Sequence, residues 1–282
     1  MIDKIFKTHD ELIELLKSRG VHIETDAEIA YAKEVLSQVG YYNLINGYNK
    51  MFLKESENMV DEYISGTTLQ EIHALYQFDK TLRSIFMKYI LSIETHIKSL
   101  IAYSFSEKYG HKNFLIYDNF NTNIKNAHKQ IPELFATIQN QISSRSSDPS
   151  IQHYLKTYGY IPLWVLNNIL TFGTISKFYR LMKTEKRQYV SRQFKIQDHE
   201  LENCLYYLSN IRNFCAHDNR LYCYRSKKPL IDTKYHEKLE IPKSDANEYM
   251  FGKRDLFAAF VALKLLLSKN DMHRISKELF RN

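Results

Sequence analysis

From Leu69 to Tyr109 the chain contains neither glycine nor proline. Apolar residues recur through this run at Leu75, Phe78, Leu82, Ile85, Phe86, Tyr89, Ile90, Ile93, Ile97 and Ile101, three and four apart. That spacing places them along one side of a helix, and Thr68 followed by Glu71 supplies a capping box at its start. One long helix, or two nearly collinear ones, is expected. The rest of the chain agrees with a helical reading. Eight Gly and five Pro in 282 residues are too few for the turns of a β-sandwich or the glycine-rich loops of a β/α repeat. The expected class is all-α.

Two further capping boxes, Thr8 with Glu11 and Thr25 with Glu28, open amphipathic segments that end at Gly20 and Gly40. The aromatic stretch Gly40 to Phe52 reads as a short packed helix or an ordered loop. Between Asn119 and Pro149 the chain turns polar, and Ser143 to Ser150 is the best candidate for a mobile loop. His153 to Met182 reads as a helix, a turn at Tyr160 to Pro162, and helices meeting at Gly173. Asp198 is expected to cap a helix running through His217, and a loop from about Asp218 to Lys243 follows. Asp255 to Phe280 reads as one closing helix, and no repeat of solenoid length is present.

The formal net charge of +7 favours an anionic partner. Among 21 Tyr and 16 Phe, most belong to a core, while exposed Tyr can stack on unpaired bases. Cys204, Cys215 and Cys223 are odd in number and contain no C-x-x-C pair, which argues against a disulfide framework and for a reducing compartment. The N-terminal segment carries charge throughout, without the apolar stretch of a signal peptide, and no run has the length of a membrane helix. A cytoplasmic protein without a membrane partner is the expectation.

Several chemistries lack their residues. The chain has no G-x-x-x-x-G-K, G-x-G-x-x-G or G-x-S-x-G, and its 11 histidines show no metal-ligand spacing, so neither a metal nor another cofactor is expected. What remains is Asn210 to Tyr222, NIRNFCAHDNRLY. On a helical wheel Leu201, Leu205, Leu208, Ile211 and Cys215 form a core stripe. Asn203, Tyr206, Asn210, Asn213 and His217 collect opposite it, with Arg220 joining them if the helix runs on. Arg212 lies at the edge, roughly 140° from His217 on an ideal helix. A structural account is available for both residues: His217 at a helix end interacting with the dipole, and Arg212 paired with a carboxylate. Basic residues also cluster at Arg180, Lys183, Lys186, Arg187, Arg192 and Lys195, and at Arg220, Arg225, Lys227 and Lys228 with Tyr222 and Tyr224 interleaved. A solvated surface explains either cluster alone, but the second adjoins the polar helix end and suits contact with an RNA backbone.

Arg212, four intervening residues and His217, with Asn213 directly after the arginine, match the signature of the HEPN superfamily of helical RNA-cleaving and nucleotide-binding domains. The fuller string RNFCAHDNRLY resembles that of the Abi-like proteins, bacterial abortive-infection factors of phage defence. Gly40 to Tyr48, Leu75 to Ser99, His153 to Trp164 and Thr171 to Tyr179 are similar to segments of the same family, in the same order. The resemblance implies a single domain over 1–282, a HEPN-type helical bundle at about 67–282 with an N-terminal helical lobe at about 1–66 and peripheral helices. It also implies a homodimer in which two copies of the Arg-His helix face each other. The chemistry it implies is metal-independent RNA cleavage: His217 moves protons, Arg212 stabilises the phosphate, and Asn213 completes the site. Asp79, Arg83 and Glu94 coincide with the family's polar positions on the long helix. There they are expected to support the site, with an Asp79–Arg83 helix pair as the simpler role. RNA is the expected partner, and a regulatory RNA or an antitoxin stands as a further candidate. Two alternatives stay open: a non-catalytic defence factor that holds a regulatory RNA in the same cleft, and a structural protein whose polar helix face is a dimer seam.

Overall fold

The structure, a computed structural model, describes residues 5–55 and 61–280. The fold is all-α: the described residues form thirteen α-helices and two 3-10 turns, with isolated β-bridges and no sheet. The chain divides into two compact units, Met1–Leu82 and Arg83–Asn282. Residues 1–4 and 56–60 of the expected N-terminal lobe lie outside the described residues.

The first unit contains α1 (His9–Ser18), α2 (Asp26–Val39), α3 (Tyr41–Tyr48), a 3-10 turn at Asn49–Phe52 and the start of α4 (Leu69–Tyr109). All three capping boxes form. The Thr8 amide donates to Glu11 Oε2 at 2.6 Å and the Glu11 amide to Thr8 Oγ1 at 3.3 Å, with the same exchange at Thr25/Glu28 and Thr68/Glu71. Each carboxylate thereby satisfies an amide that the helix itself leaves unpaired. Gly40, at φ 81°, ends α2 and lets α3 begin at the next residue. Ile13, Leu16, Val35, Leu36, Leu44, Ile45 and Ile72 fill the core beneath.

α4 is one continuous helix of 41 residues. Its expected apolar stripe is buried from Leu82 to Ile101. Near its start the expectation reverses: Phe78 is 50% exposed and Asp79 is fully buried. Periodicity prefers the phenylalanine inside, but Asp79 accepts a 2.8 Å hydrogen bond from Tyr48 Oη, and a buried carboxylate held in this way is tolerated.

The second unit holds the rest of α4 and α5 (Ala127–Ser144), α6 (Pro149–Tyr158), α7 (Leu163–Leu166), α8 (Phe172–Leu181) and α9 (Thr184–Arg192). It continues through α10 (Asp198–Ala216), α11 (Lys234–Lys238), α12 (Leu256–Leu266) and α13 (Lys269–Phe280). Phe105 of α4 sits at its centre, with ring centroids of Phe120 and Phe178 at 5.4 and 5.1 Å. α10 packs against α8, α9 and α12, which fixes the helix carrying the expected site on three sides.

Several boundaries differ from expectation. The polar stretch after Asn119 contains α5, whose Ala127, Ile131, Leu134 and Ile138 form a buried stripe despite an internal Pro132. The expected mobile loop at Ser143 to Ser150 shrinks accordingly, because α5 runs to Ser144 and Asp148 caps α6. Gly173 lies inside the first turn of α8 and not at a junction; Thr171 caps that helix. The closing segment is two helices, separated where Ser268 Oγ accepts from the Asp271 amide at 3.1 Å and starts a new cap. Two members of the first basic cluster are engaged in ion pairs. Arg187 pairs with Asp198 and Glu202 at 3.0 and 2.7 Å, and Lys186 with Glu107 at 3.1 Å. No helix among the described residues is long and apolar enough to cross a membrane.

Candidate functional site

The core stripe of α10 is as expected: Leu201, Leu205, Leu208 and Ile211 are fully buried and Cys215 nearly so. Cys204 and Tyr207 join it. Burial pushes the Cys204 thiol up to about 12, so this cysteine is inert as a nucleophile at neutral pH. Tyr207 Oη donates to the Asp255 carbonyl at 2.7 Å, tying α10 to the start of α12. The N-terminus of the helix differs by one residue from expectation: Gln197 is the cap, and its amide donates to Glu200 at 2.7 Å.

The other end of α10 defines the site. His217 is the C-cap, its amide donating to the Asn213 carbonyl at 3.2 Å. Asp218 then adopts the left-handed conformation at φ 52°, and the Asn219 amide reaches back to the Phe214 carbonyl at 3.2 Å. This is a Schellman-type stop with Asp at the position usually held by glycine. Arg83, itself 5% exposed, pairs with the Asp218 carboxylate at 3.3 Å. The helix therefore cannot run on to carry Arg220 on its polar face. Arg220 instead belongs to the irregular segment after the stop.

Beside this stop lies a cleft of about 450 Å³. Tyr206, Asn210, Asn213 and His217 from α10 line one side, and Asn219, Arg225, Ser226 and Lys227 from the following loop line another. Asn213 and His217 are both exposed. The loop is held in place by Arg254, which donates to the Ser226 and Lys227 carbonyls, and by the Ser226 amide on the Arg254 carbonyl at 2.7 Å. Asn203, expected on the polar row, is an anchor for the same loop: its Oδ1 accepts from the Ile231 amide at 2.9 Å. Lys228 places its ammonium 4.9 Å from the Tyr206 ring centroid. Tyr222 is half-buried. Tyr224 lines the cleft but is largely buried. The residue is 7% exposed, and its ring packs edge-to-face on Phe214 at 5.0 Å and near-perpendicular to Tyr207 at 6.0 Å, so it also supports the loop from within.

Arg212 lies outside the lining of this cleft and pairs with Glu94 of α4, Nε to Oε2 at 3.8 Å. Both of those atoms are buried and neither makes a hydrogen bond. Glu94, 6% exposed, also holds Lys98 at 2.7 Å. Lys98 was not singled out in the sequence, although its position four residues after Glu94 gives the usual helix-pair spacing. Glu94 and Lys98 also border a larger groove of about 750 Å³ along α4, with Trp164 and the buried Asn167. Of the expected supporting residues, Glu94 thus contacts Arg212 and Arg83 fixes the residue after His217. Asp79 lies in the first unit, bonded to Tyr48. The two features of the structural account, His217 at a helix end and Arg212 beside a carboxylate, are both present.

An imidazole at a fixed helix end, an adjacent amide and the cations of the facing loop can position and neutralise a phosphate. Among the described residues no group of three or more His, Cys, Asp or Glu side chains is placed to hold a metal ion. No curated protein and no solved structure is matched by the chain. A family model does match, described as Abi-like protein, over residues 34–223. That span is more than half of the chain and includes α4, α10, Arg212, His217 and the beginning of the cationic loop, so the chain belongs to the Abi-like family.

Proposed function

We propose that this Abi-like protein is a HEPN-type endoribonuclease of anti-phage abortive infection, cleaving RNA without a metal at a site built by Arg212, Asn213 and His217. The observation that carries the reading is the cleft at the end of α10, where exposed Asn213 and His217 face Arg225 and Lys227 of the next loop. RNA supplies its own nucleophile, the 2′-hydroxyl. His217 moves a proton, and arginine balances the charge that develops on the phosphorus oxygens. Arg212, held by Glu94 away from its own protomer's cleft, is available to a second site. A two-fold dimer that apposes the ends of two α10 helices puts two histidines, an acid and a base, around one phosphate and brings Arg212 of the second protomer to it. Membership of the Abi-like family supports the defence role, and the excess of positive charge supports the RNA partner.

Mixing His217→Ala subunits with wild type under subunit exchange is expected to lower RNA cleavage per wild-type subunit. A monomer by sedimentation that cleaves at the full rate overturns the composite site. RNA affinity is expected to fall steeply with salt. If Arg220, Arg225, Lys227 and Lys228 neutralise about four phosphates of a single strand, the log–log slope is near −3, or about 50-fold between 50 and 200 mM salt. A flat salt titration makes the basic loop incidental.

A further inference from the structure

The groove along α4 lies in the Arg83–Asn282 unit and shares no lining residue with the His217 cleft. Leu91, Glu94, Lys98, Ala102 and Ser106 recur three and four apart, so one face of α4 forms its floor for about 24 Å from Leu91 to Glu107. Trp164 of α7 and Asn167 at the end of that helix line it too. Buried oxygens that make no hydrogen bond gather here. Among the described residues five side chains carry one, Tyr63, Glu94, Ser106, Tyr109 and Asn167, and three of the five line this groove. Such atoms are rare in folded proteins because each costs stability. Asn167 is 3% exposed, and its Nδ2 donates to the Lys98 carbonyl at 2.6 Å, which fixes the amide and leaves Oδ1 alone. Glu94 gives Oε1 to Lys98 at 2.7 Å, while Oε2 stands 3.8 Å from Arg212 Nε, beyond hydrogen-bond reach.

An amide oxygen and a carboxylate oxygen can only accept, so what these positions lack is a set of N–H or O–H donors. Charge narrows the choice. The groove's lysine is already on Glu94, and Glu107 at the other end, 51% exposed, meets Lys186 from outside the lining. Neither lysine is left over for a phosphate, and two carboxylates border the groove in a chain of net charge +7. Trp164 and Tyr103, 50% and 59% exposed, add aromatic surface that attracts cations. The acceptors are strung out: Glu94 and Ser106 are about 18 Å apart along the helix axis, with Asn167 held at Lys98 between them. One compact cation cannot meet them all. We propose that this groove binds a linear polyamine, its ammonium groups on Glu94 Oε2, Asn167 Oδ1 and the Ser106–Glu107 end, and its chain along Ala102, Tyr103 and Trp164. Such a chain carries N–H donors at intervals and no acceptor. Glu94 Oε2 is also the atom beside Arg212, so an occupant competes for the carboxylate that orients this arginine. That coupling rests on the proposed cleavage; the binding claim does not.

The test is titration calorimetry of the full-length protein with spermine and with putrescine at physiological ionic strength, where loose surface attraction is screened. Spermine is expected to bind at least about tenfold more tightly, because putrescine is too short to join the two ends of the groove. Glu107→Gln and Glu133→Gln each remove one exposed carboxylate, the second on α5 outside the groove. Only the first is expected to raise the spermine Kd, by about fivefold or more, and Trp164→Ala acts alike. Ser106→Ala is expected to weaken spermine binding with the melting temperature unchanged or raised, since it removes a buried hydroxyl that makes no bond in the free protein. No binding of spermine, equal affinity for putrescine, or equal weakening by Glu133→Gln overturns the proposal. Spermine at a concentration that fills only the wild-type groove is further expected to slow RNA cleavage by wild type and not by Trp164→Ala. Equal slowing of both, the mark of spermine bound to the RNA itself, overturns the coupling to Arg212.

Discussion

Replacing His217 by alanine is expected to reduce RNA cleavage by about 10²–10⁴-fold while leaving RNA affinity within a small factor of wild type, the usual cost of losing a positioned proton-transfer group. His217 is exposed at the C-cap, and what the helix end takes from it is its backbone amide on the Asn213 carbonyl, which alanine supplies equally. The stop itself is held by the Asn219 amide on Phe214 and by Arg83 on Asp218. A loss of cleavage with an unchanged melting temperature therefore assigns chemistry to the imidazole. Equal cleavage by the variant removes His217 from the mechanism, and equal loss of binding favours a role in holding RNA, which is the alternative of a non-catalytic defence factor.

Glu94→Ala is expected to damage both stability and cleavage. The carboxylate is 6% exposed and lies between Lys98 at 2.7 Å and Arg212 at 3.8 Å, so its removal leaves two cations facing each other without a counter-charge. Breaking a buried pair in this way costs about 3 kcal/mol when, as here, the cations keep partial access to water, the lower end of the range for such changes. Freed of its partner, Arg212 also loses its orientation, and misplacement of a phosphate-stabilising group by about 1 Å can cost on the order of 10²-fold in rate. Urea unfolding reads the first effect and cleavage at a temperature well below the transition reads the second. Glu94→Gln separates them: it keeps the side chain's volume and a polar group within reach of both cations but removes their shared counter-charge, so cleavage is expected to fall more than stability. A Glu94→Ala protein of native stability and full activity means that the ion cluster serves neither purpose.

The helical class and most of the long elements were legible because their signals are local. A capping box is a contact between residues three apart, and the stripe of Leu201, Leu205, Leu208, Ile211 and Cys215 follows from helical geometry alone. What escaped was set by partners distant in sequence. Phe78 and Asp79 exchange their expected environments because Tyr48 satisfies the carboxylate. Tyr224 reads as a surface aromatic among lysines and arginines, yet Phe214 and Tyr207 bury it. α5 was hidden because only Ala127, Ile131, Leu134 and Ile138 of its 18 residues are buried, and by Pro132, which sits in the early part of the helix. At the candidate site, the wheel separated Arg212 from His217 correctly, and it is the α4 carboxylate of Glu94 that turns this separation into two distinct surroundings. The end of α10 at His217 depends on a left-handed Asp218, a role in which sequence patterns expect glycine.

The central claim is RNA cleavage that uses these side chains and the RNA's own 2′-hydroxyl. It is tested most directly by incubating the purified protein with a defined single-stranded RNA in excess EDTA and identifying the product ends by mass spectrometry. The account predicts undiminished cleavage with 2′,3′-cyclic phosphate and 5′-hydroxyl termini. Cleavage abolished by EDTA and restored by a divalent cation, or products with 5′-phosphate termini, contradicts it.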